Sequence, residues 1–242
     1  MRKNHKKANI NIIDTIGSID DLIEKYEENI DQLKKTLEYK YRKIYEKSMI
    51  KKSINELGLY VTDFVANGSF KSLKDNTNIM DDDGYAYFIR NTDLKDNIFN
   101  KYVDIDTYNF LSKSYLKGNE ILISNVGDVG SVYLCPFLNK PMTLGNNMIM
   151  VTFDNRNDNF YLYYYFKSYE GQFAISGITA GSAQQKFNKT DFRKLEIPFP
   201  DKNLLNDFNL EAKKYIDLIN NYSSIKQKLL SLKQLYLNKF FN

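Results

Sequence analysis

Apolar residues recur at alternating steps of four and three along residues 19–47, IDDLIEKYEENIDQLKKTLEYKYRKIYEK, a stretch without Gly or Pro. Ile19, Ile23, Tyr26, Ile30, Leu33, Leu37 and Ile44 form the seam, and Lys40 is the one polar residue where the seam would continue. The pattern holds for nearly four heptads and predicts a helix paired along its length with another; a plain core helix is the simpler alternative. Gly17-Ser18 marks the expected stop and N-cap, and Asp20, Asp21 and Glu24 set carboxylates near the positive helix end. At 1.5 Å per residue such a helix is roughly 40 Å long, more than a small domain needs.

Residues 204–242 repeat the theme, again without Gly or Pro. Asp21-Leu22-Ile23 with Tyr26 returns as Asp217-Leu218-Ile219 with Tyr222. At the same offset Leu33 meets Leu229 and Lys43-Ile44-Tyr45 meets Lys239-Phe240-Phe241. Two similar helices therefore bracket a central segment. Antiparallel pairing is expected, because the chain between them must leave and return near one place. A pair satisfied within one chain gives a monomer, and exchange between chains gives a homodimer with two identical central domains.

The middle of the chain changes texture. Short runs rich in β-branched and aromatic residues predict strands at Tyr85–Ile89, Glu120–Asn125, Ser131–Cys135, Met148–Phe153 and Lys194–Ile197. Helices are expected at Ile54–Val65, Asp106–Lys113, Asn159–Ser168 and Lys189–Phe192. Ile197-Pro198-Phe199-Pro200 reads as a rigid extended exit, since neither proline can donate to a ladder. The expected fold class is α+β, a mixed α/β domain flanked by two long helices in an antiparallel coiled coil. The expected division is a basic N-terminal tip (1–18), a coiled-coil helix (19–52), the central domain (53–200) and a second coiled-coil helix (201–242).

Composition narrows the chemistry. A chain of 242 residues with 34 Lys+Arg, 30 Asp+Glu and one cysteine, Cys135, forms no internal disulfide. With His5 as the one histidine, a four-ligand Cys/His zinc site or a His-dependent catalytic triad has too few parts. No apolar run approaches the ~18 residues of a membrane span, and the polar start lacks a signal core, so a cytoplasmic protein without membrane contact is expected. Residues 53–200 carry 14 basic and 17 acidic groups, against 13 and 9 in residues 1–52 and 7 and 4 in residues 201–242. The body is thus −3 and its flanks together +7, opposite to what a non-specific nucleic-acid binder would show.

Catalytic motifs fail one by one. Gly127-Asp128-Val129-Gly130 lacks the third glycine of a dinucleotide fingerprint and the Gly-Lys-Ser/Thr of a P-loop, and reads as a tight turn compatible with backbone contact to nucleic acid. Asp201 with Glu211-Ala212-Lys213 has nuclease-like spacing, yet that chemistry needs the Glu and Lys on a strand, and here they lie in a helical pattern. Asp81-Asp82-Asp83-Gly84 lacks the ligand ladder of a calcium loop and reads as an exposed loop. No Asn-Pro-Pro-Tyr or Asp-Pro-Pro-Tyr phrase suggests a methyltransferase site, and no metal or cofactor is called for.

Binding remains. Gly181, Ser182, Gln184, Gln185 and Lys186 lie in a small, polar, flexible stretch that can donate and accept hydrogen bonds, Gln being suited to adenine and Ser to phosphate or base. Arg90, Asn91 and Thr92 follow a predicted strand, Ser124 and Asn125 end another, and Lys71 and Ser72 lie in a polar loop. Each also has a plain reading as a solvated loop.

The order of these phrases resembles one recognition half of the specificity subunit of type I restriction-modification enzymes. The matching phrases are Leu57-Gly58-x-Tyr60-Val61, Phe88-Ile89-Arg90-Asn91-Thr92-Asp93-Leu94, and Leu116 through Gly127 (LKGNEILISNVG). Gly181 through Asn188 (GSAQQKFN) and Leu195-Glu196-Ile197-Pro198-Phe199-Pro200 follow in order, so the resemblance spans roughly residues 15 to 242. It implies a target recognition domain that reads one half of a split double-stranded DNA site, with the helices as spacer and docking surface. It also implies no catalytic residues in the chain, which would direct modification (methyltransferase) and restriction subunits that hold the methyl donor and ATP. Two departures stand out. Family members usually carry two recognition domains where this chain has one, and Gly118-Asn119 replaces a frequent Gly-Asp before the Ile-Leu-Ile-Ser strand. The expected function is a half-site reader; the alternative is a truncated or decoy subunit that occupies the modification subunit without productive DNA reading.

Overall fold

The computed structural model describes the backbone of residues 2–48 and 50–241 and the side chains of residues 14–48 and 50–239. Along the chain run α1 (Arg2–Tyr45), β1 (Ile50–Ser53), β2 (Tyr60–Asp63), α2 (Phe70–Asn76), β3 (Ile79–Met80), β4 (Ala86–Ile89), α3 (Asn91–Asp96), β5 (Tyr102–Val103) and α4 (Ile105–Phe110). Then follow β6 (Tyr115–Leu116), β7 (Ile121–Ser124), β8 (Val132–Leu134), β9 (Met142–Leu144), β10 (Met148–Thr152), α5 (Phe160–Lys167), α6 (Tyr169–Ile178), α7 (Lys189–Arg193), β11 (Glu196–Phe199) and α8 (Lys202–Phe241). Two compact units result: a helical arm of Met1–Arg42 with Leu210–Asn242, and a body of Lys43–Asn209.

In the arm, α1 and α8 pair antiparallel. The Lys233 ammonium donates to Asp20 at 2.5 Å, that of Lys226 to Glu27 at 3.2 Å, and Tyr26 meets Tyr222 edge-on at 5.2 Å. Seven residues forward on α1 are matched by seven backward on α8, as heptad seams require. Ile19, Ile30 and Leu37 are buried, Ile23, Leu33, Ile219 and Leu229 are partly covered, and Ala212 and Ile216 are buried on α8. Burying a leucine such as Leu37 contributes roughly 1.5–3 kcal/mol. Lys40 lies 2.7 Å from the Glu211 carboxylate and 5.9 Å from the centre of the Tyr215 ring, and its bond to Glu211 raises its pKa. The polar break in the seam is thus paired. Glu211, read for its nuclease-like spacing, sits on a helix facing that lysine.

Three expectations about the helices are corrected. α1 runs through Gly17 and Ser18 instead of beginning there, because the Ser18 hydroxyl donates to the Asp14 carbonyl 2.9 Å away, a mid-helix bond and not a cap. The side chain of His5 lies outside the described residues. α1 also ends at Tyr45, not at 52, since residues 50–53 form β1 against β11. Helix Ile54–Val65 does not form: Gly58 turns left-handed at φ 67°, and Tyr60–Asp63 continue as β2 beside β10. The proline-rich exit is itself strand, Pro198 pairing with Lys51 in a two-stranded sheet with no central strand, where a missing donor is tolerated.

The body holds two larger sheets. One is antiparallel, in the order β2-β10-β7-β8; the other runs β3-β5-β4-β9-β6, with β4 and β9 parallel. Strands β7 and β10 read as near-continuous apolar runs, and every residue of Ile121–Ser124 and Met148–Val151 is buried. Both sheets share a core in which Ile89, Met142 and Leu144 of one meet Leu122, Met148 and Met150 of the other. Buried Phe160, Tyr161 and Phe166 of α5 add an aromatic layer, with the Tyr161 hydroxyl donating to the Pro198 carbonyl at 2.8 Å. No helix among the described residues is long and apolar enough to cross a membrane.

Candidate nucleic-acid interface

Loops from distant parts of the sequence meet at one edge of the body. Strand β4 delivers Arg90 and Asn91, β7 delivers Asn125, and the β9–β10 turn delivers Asn146 and Asn147. Their backbones are tied: the Gly145 N–H donates to the Ile89 carbonyl at 2.7 Å, and the Asn125 N–H to the Asn147 carbonyl at 3.1 Å. The β7–β8 turn joins through Asp128, which accepts from the Asn91 amide at 3.2 Å and the Ser131 hydroxyl at 2.9 Å. Those bonds hold the Asp128 carboxyl below its ordinary pKa.

The 180–187 segment docks onto this edge. Ala180 and Lys186 exchange two backbone hydrogen bonds of 2.9 Å and close a five-residue tip, Gly181–Gln185. Gly181 has φ +103°, and a Cβ there would lie 2.4 Å from the Gln184 carbonyl oxygen, so the tip needs glycine at this position. The tip is anchored to β7, with the Gly127 N–H donating to the Gln185 carbonyl at 3.0 Å and the Phe187 N–H to the Asn125 carbonyl at 3.1 Å. Residues 181–186 are all exposed, while Phe187 beneath them is buried. The tip is a fixed platform for free polar side chains.

Not every expected site residue belongs to it. Arg90 donates from Nε to both Asp93 oxygens, at 3.2 and 3.0 Å, and from an NH2 nitrogen at 2.5 Å. That carboxylate is 3% exposed and also accepts the Arg90 backbone N–H, so Arg90 braces the start of α3. The bond to Asp93 raises the guanidinium pKa further. Ser124 is fully buried, its N–H bonded to the Ser131 carbonyl, and presents nothing to solvent. Lys71 and Ser72 stand apart on α2, Ser72 packed beside Gly68. Thr92 is exposed in the first turn of α3. Asn146 and Asn147, missed in the sequence, had a signal in the Gly145-Asn146-Asn147 turn phrase.

Elsewhere the body offers little chemistry. A concavity of about 360 Å³ at the other end of β10 is lined in part by Tyr60, Lys113, Lys117, Glu120, Thr152 and Arg156. Glu120 accepts the Lys117 and Gly118 N–H groups at 2.9 and 2.8 Å, yet burial raises its pKa. Asp81 and Asp83 are paired with Lys101 and Lys140, and among the described residues no group of three Asp, Glu, His or Cys side chains converges on a possible metal position.

No curated protein matches the chain. Solved structures similar to the chain include two subunits of restriction-modification systems. The S subunit of a type I restriction-modification system from M. genitalium is 12% identical with a TM-score of 0.62, the match covering 95% of this chain and 59% of that one. The HsdS subunit from Thermoanaerobacter tengcongensis is 12% identical with a TM-score of 0.47, covering 98% and 57%. The first likeness is one of fold, and the chain spans less than two thirds of either subunit. Residues 61–204 match the family described as Type I restriction modification DNA specificity domain. That span is more than half of the 242 residues, it contains the whole loop edge, and the chain belongs to this family.

Proposed function

We propose that the chain is a DNA-reading specificity subunit of a type I restriction-modification system, acting in the cytoplasm on one half of a split double-stranded target. The loop edge carries the reading: Asn91, Thr92, Asn125, Gly181, Ser182, Gln184, Gln185 and Lys186 contact DNA, while Arg90 and Ser124 hold the loops. Lys71 and Ser72 contribute at most a remote phosphate contact. The chain supplies no catalytic group, and modification and restriction subunits recruited through the helical arm supply the chemistry. The observation that supports this reading best is the exposed Gly181–Gln185 tip, fixed at its base by paired backbone bonds and bearing uncommitted donors and acceptors. Footprinting, and methylation in the presence of a cognate modification subunit, should reveal a sequence preference that alanine at Ser182, Gln184, Gln185 and Lys186 abolishes. No preference in the unaltered protein would refute the proposal.

The net −3 of residues 53–200 favours a second reading, a decoy that occupies the modification subunit without reading DNA. Pull-down of that subunit combined with absent DNA protection and falling methylation would select it.

A further inference from the structure

We propose that the concavity at the Thr152 end of β10 binds a free mononucleotide. The β9–β10 turn and the rest of the loop edge lie at the opposite end of that strand, so this site is separate from the DNA-reading role. The volume of about 360 Å³ falls within the ~300–1,000 Å³ of small-molecule sites. Three cations line it: Lys113 and Lys117, which flank β6, and Arg156, in the turn after β10. None of them is committed to holding the fold. Among the described residues, neither lysine ammonium has an acidic or hydrogen-bonding partner, and both lysines are exposed. Arg156 makes no hydrogen bond, its Nε stopping 3.7 Å from the Glu120 carboxylate. By contrast, Lys101, Lys140, Lys189 and Lys194 of the body each face an aspartate.

Two acidic residues share the lining. The Glu120 side chain is 3% exposed and its two oxygens accept the Lys117 and Gly118 backbone N–H groups, so it is turned away from a ligand. Asp154 is exposed, where water and salt screen its charge. A phosphate is therefore met by two free ammonium groups and by a guanidinium whose donors can fork onto its oxygens. The aromatic residues distinguish a nucleotide from a bare anion. The Tyr60 hydroxyl donates to the Lys113 carbonyl at 3.0 Å, which fixes its ring beside that lysine. The Tyr115 ring lies parallel to that of Tyr108, with centroids 4.2 Å apart, and is held by it. Fixed aromatic rings offer stacking surface to any base. A DNA duplex would use the cations and leave these rings idle, because its bases stay paired and stacked.

The test is titration calorimetry of the full chain with AMP, GMP, CMP and UMP, and with the matching nucleosides and inorganic phosphate for comparison. At least one nucleotide should bind with a Kd below about 1 mM, tenfold or more tighter than its nucleoside or inorganic phosphate. Replacing Lys113 and Lys117 together by alanine should weaken that binding tenfold or more, as should Arg156→Gln, and Tyr115→Ala should weaken it severalfold. Lys74→Ala, which removes an exposed charge on α2, should bind as the unaltered protein does. Thermal unfolding checks that each variant folds; both lysines are exposed, so the lysine pair carries the test even if Arg156→Gln is unstable. Absence of nucleotide binding overturns the proposal, and weakened duplex binding in the lysine variant would then assign the cations to the DNA backbone. Inorganic phosphate bound as tightly as any nucleotide also overturns it, leaving a bare anion site.

Discussion

A carboxylate as buried as that of Asp93 is tolerated because the Arg90 guanidinium and the Arg90 N–H both bond to it. Arg90→Ala strands that charge, so a loss of about 3 kcal/mol is expected in urea denaturation, with Arg90→Lys recovering only part because the fork geometry is lost. A loss confined to DNA affinity would show that the arginine reads bases instead. Gly181→Ala forces an L residue to φ +103° against the Gln184 carbonyl. Local destabilisation of about 1–2 kcal/mol should appear as faster hydrogen exchange at the Ala180 and Lys186 N–H groups, with the global midpoint almost unmoved. Glu120 gives a pH signature. Burial raises its folded pKa above the unfolded value, so the folded state takes up its proton first, and stability rises as pH falls through the folded pKa and is lost as pH climbs back. Glu120→Gln should flatten that dependence in denaturation midpoints measured from pH 7 to pH 4.

At the level of elements, the seam makes the sharpest prediction. Leu37 on the α1 seam is fully buried, and Leu37→Ala should cost about 2–5 kcal/mol, visible as early loss of helical circular dichroism. The long helices were legible in the sequence because Ile19 through Leu37 keep one period with nothing to interrupt it. Their ends were not: Ser18 is a good cap by type, but its hydroxyl bonds backward to Asp14, a choice that depends on the residues before it being helical. Strands β7 and β10 were read within a residue or two, since a fully buried strand is a plain apolar run. Short pairings such as β5 with β3 and β4 have no signal of their own and exist because long-range partners arrive. The loop edge was half legible. Its turn residues stand out by type, while the commitment of Arg90 to Asp93 and the burial of Ser124 follow only from what folds around them.

For the molecule as a whole, charge is distributed against expectation, with the acidic excess on the body that carries the loop edge. Few free cations line that edge, so counterion release should be small. The slope of log K against log salt between 50 and 200 mM should be about −2 to −4, shallower than for a binder held by many phosphate contacts, and a slope near −10 would place the DNA on other surfaces. The arm carries a different consequence. Because its two helices run in opposite directions and meet heptad by heptad, Asp20 against Lys233 and Glu27 against Lys226, insertion of one residue in either helix would rotate every seam position beyond it by about 100°. Length can change only in matched blocks of seven, one in each helix, and each such block moves the far end of the arm by about 10 Å. The arm is a ruler with graduations, adjustable in steps and rigid between them.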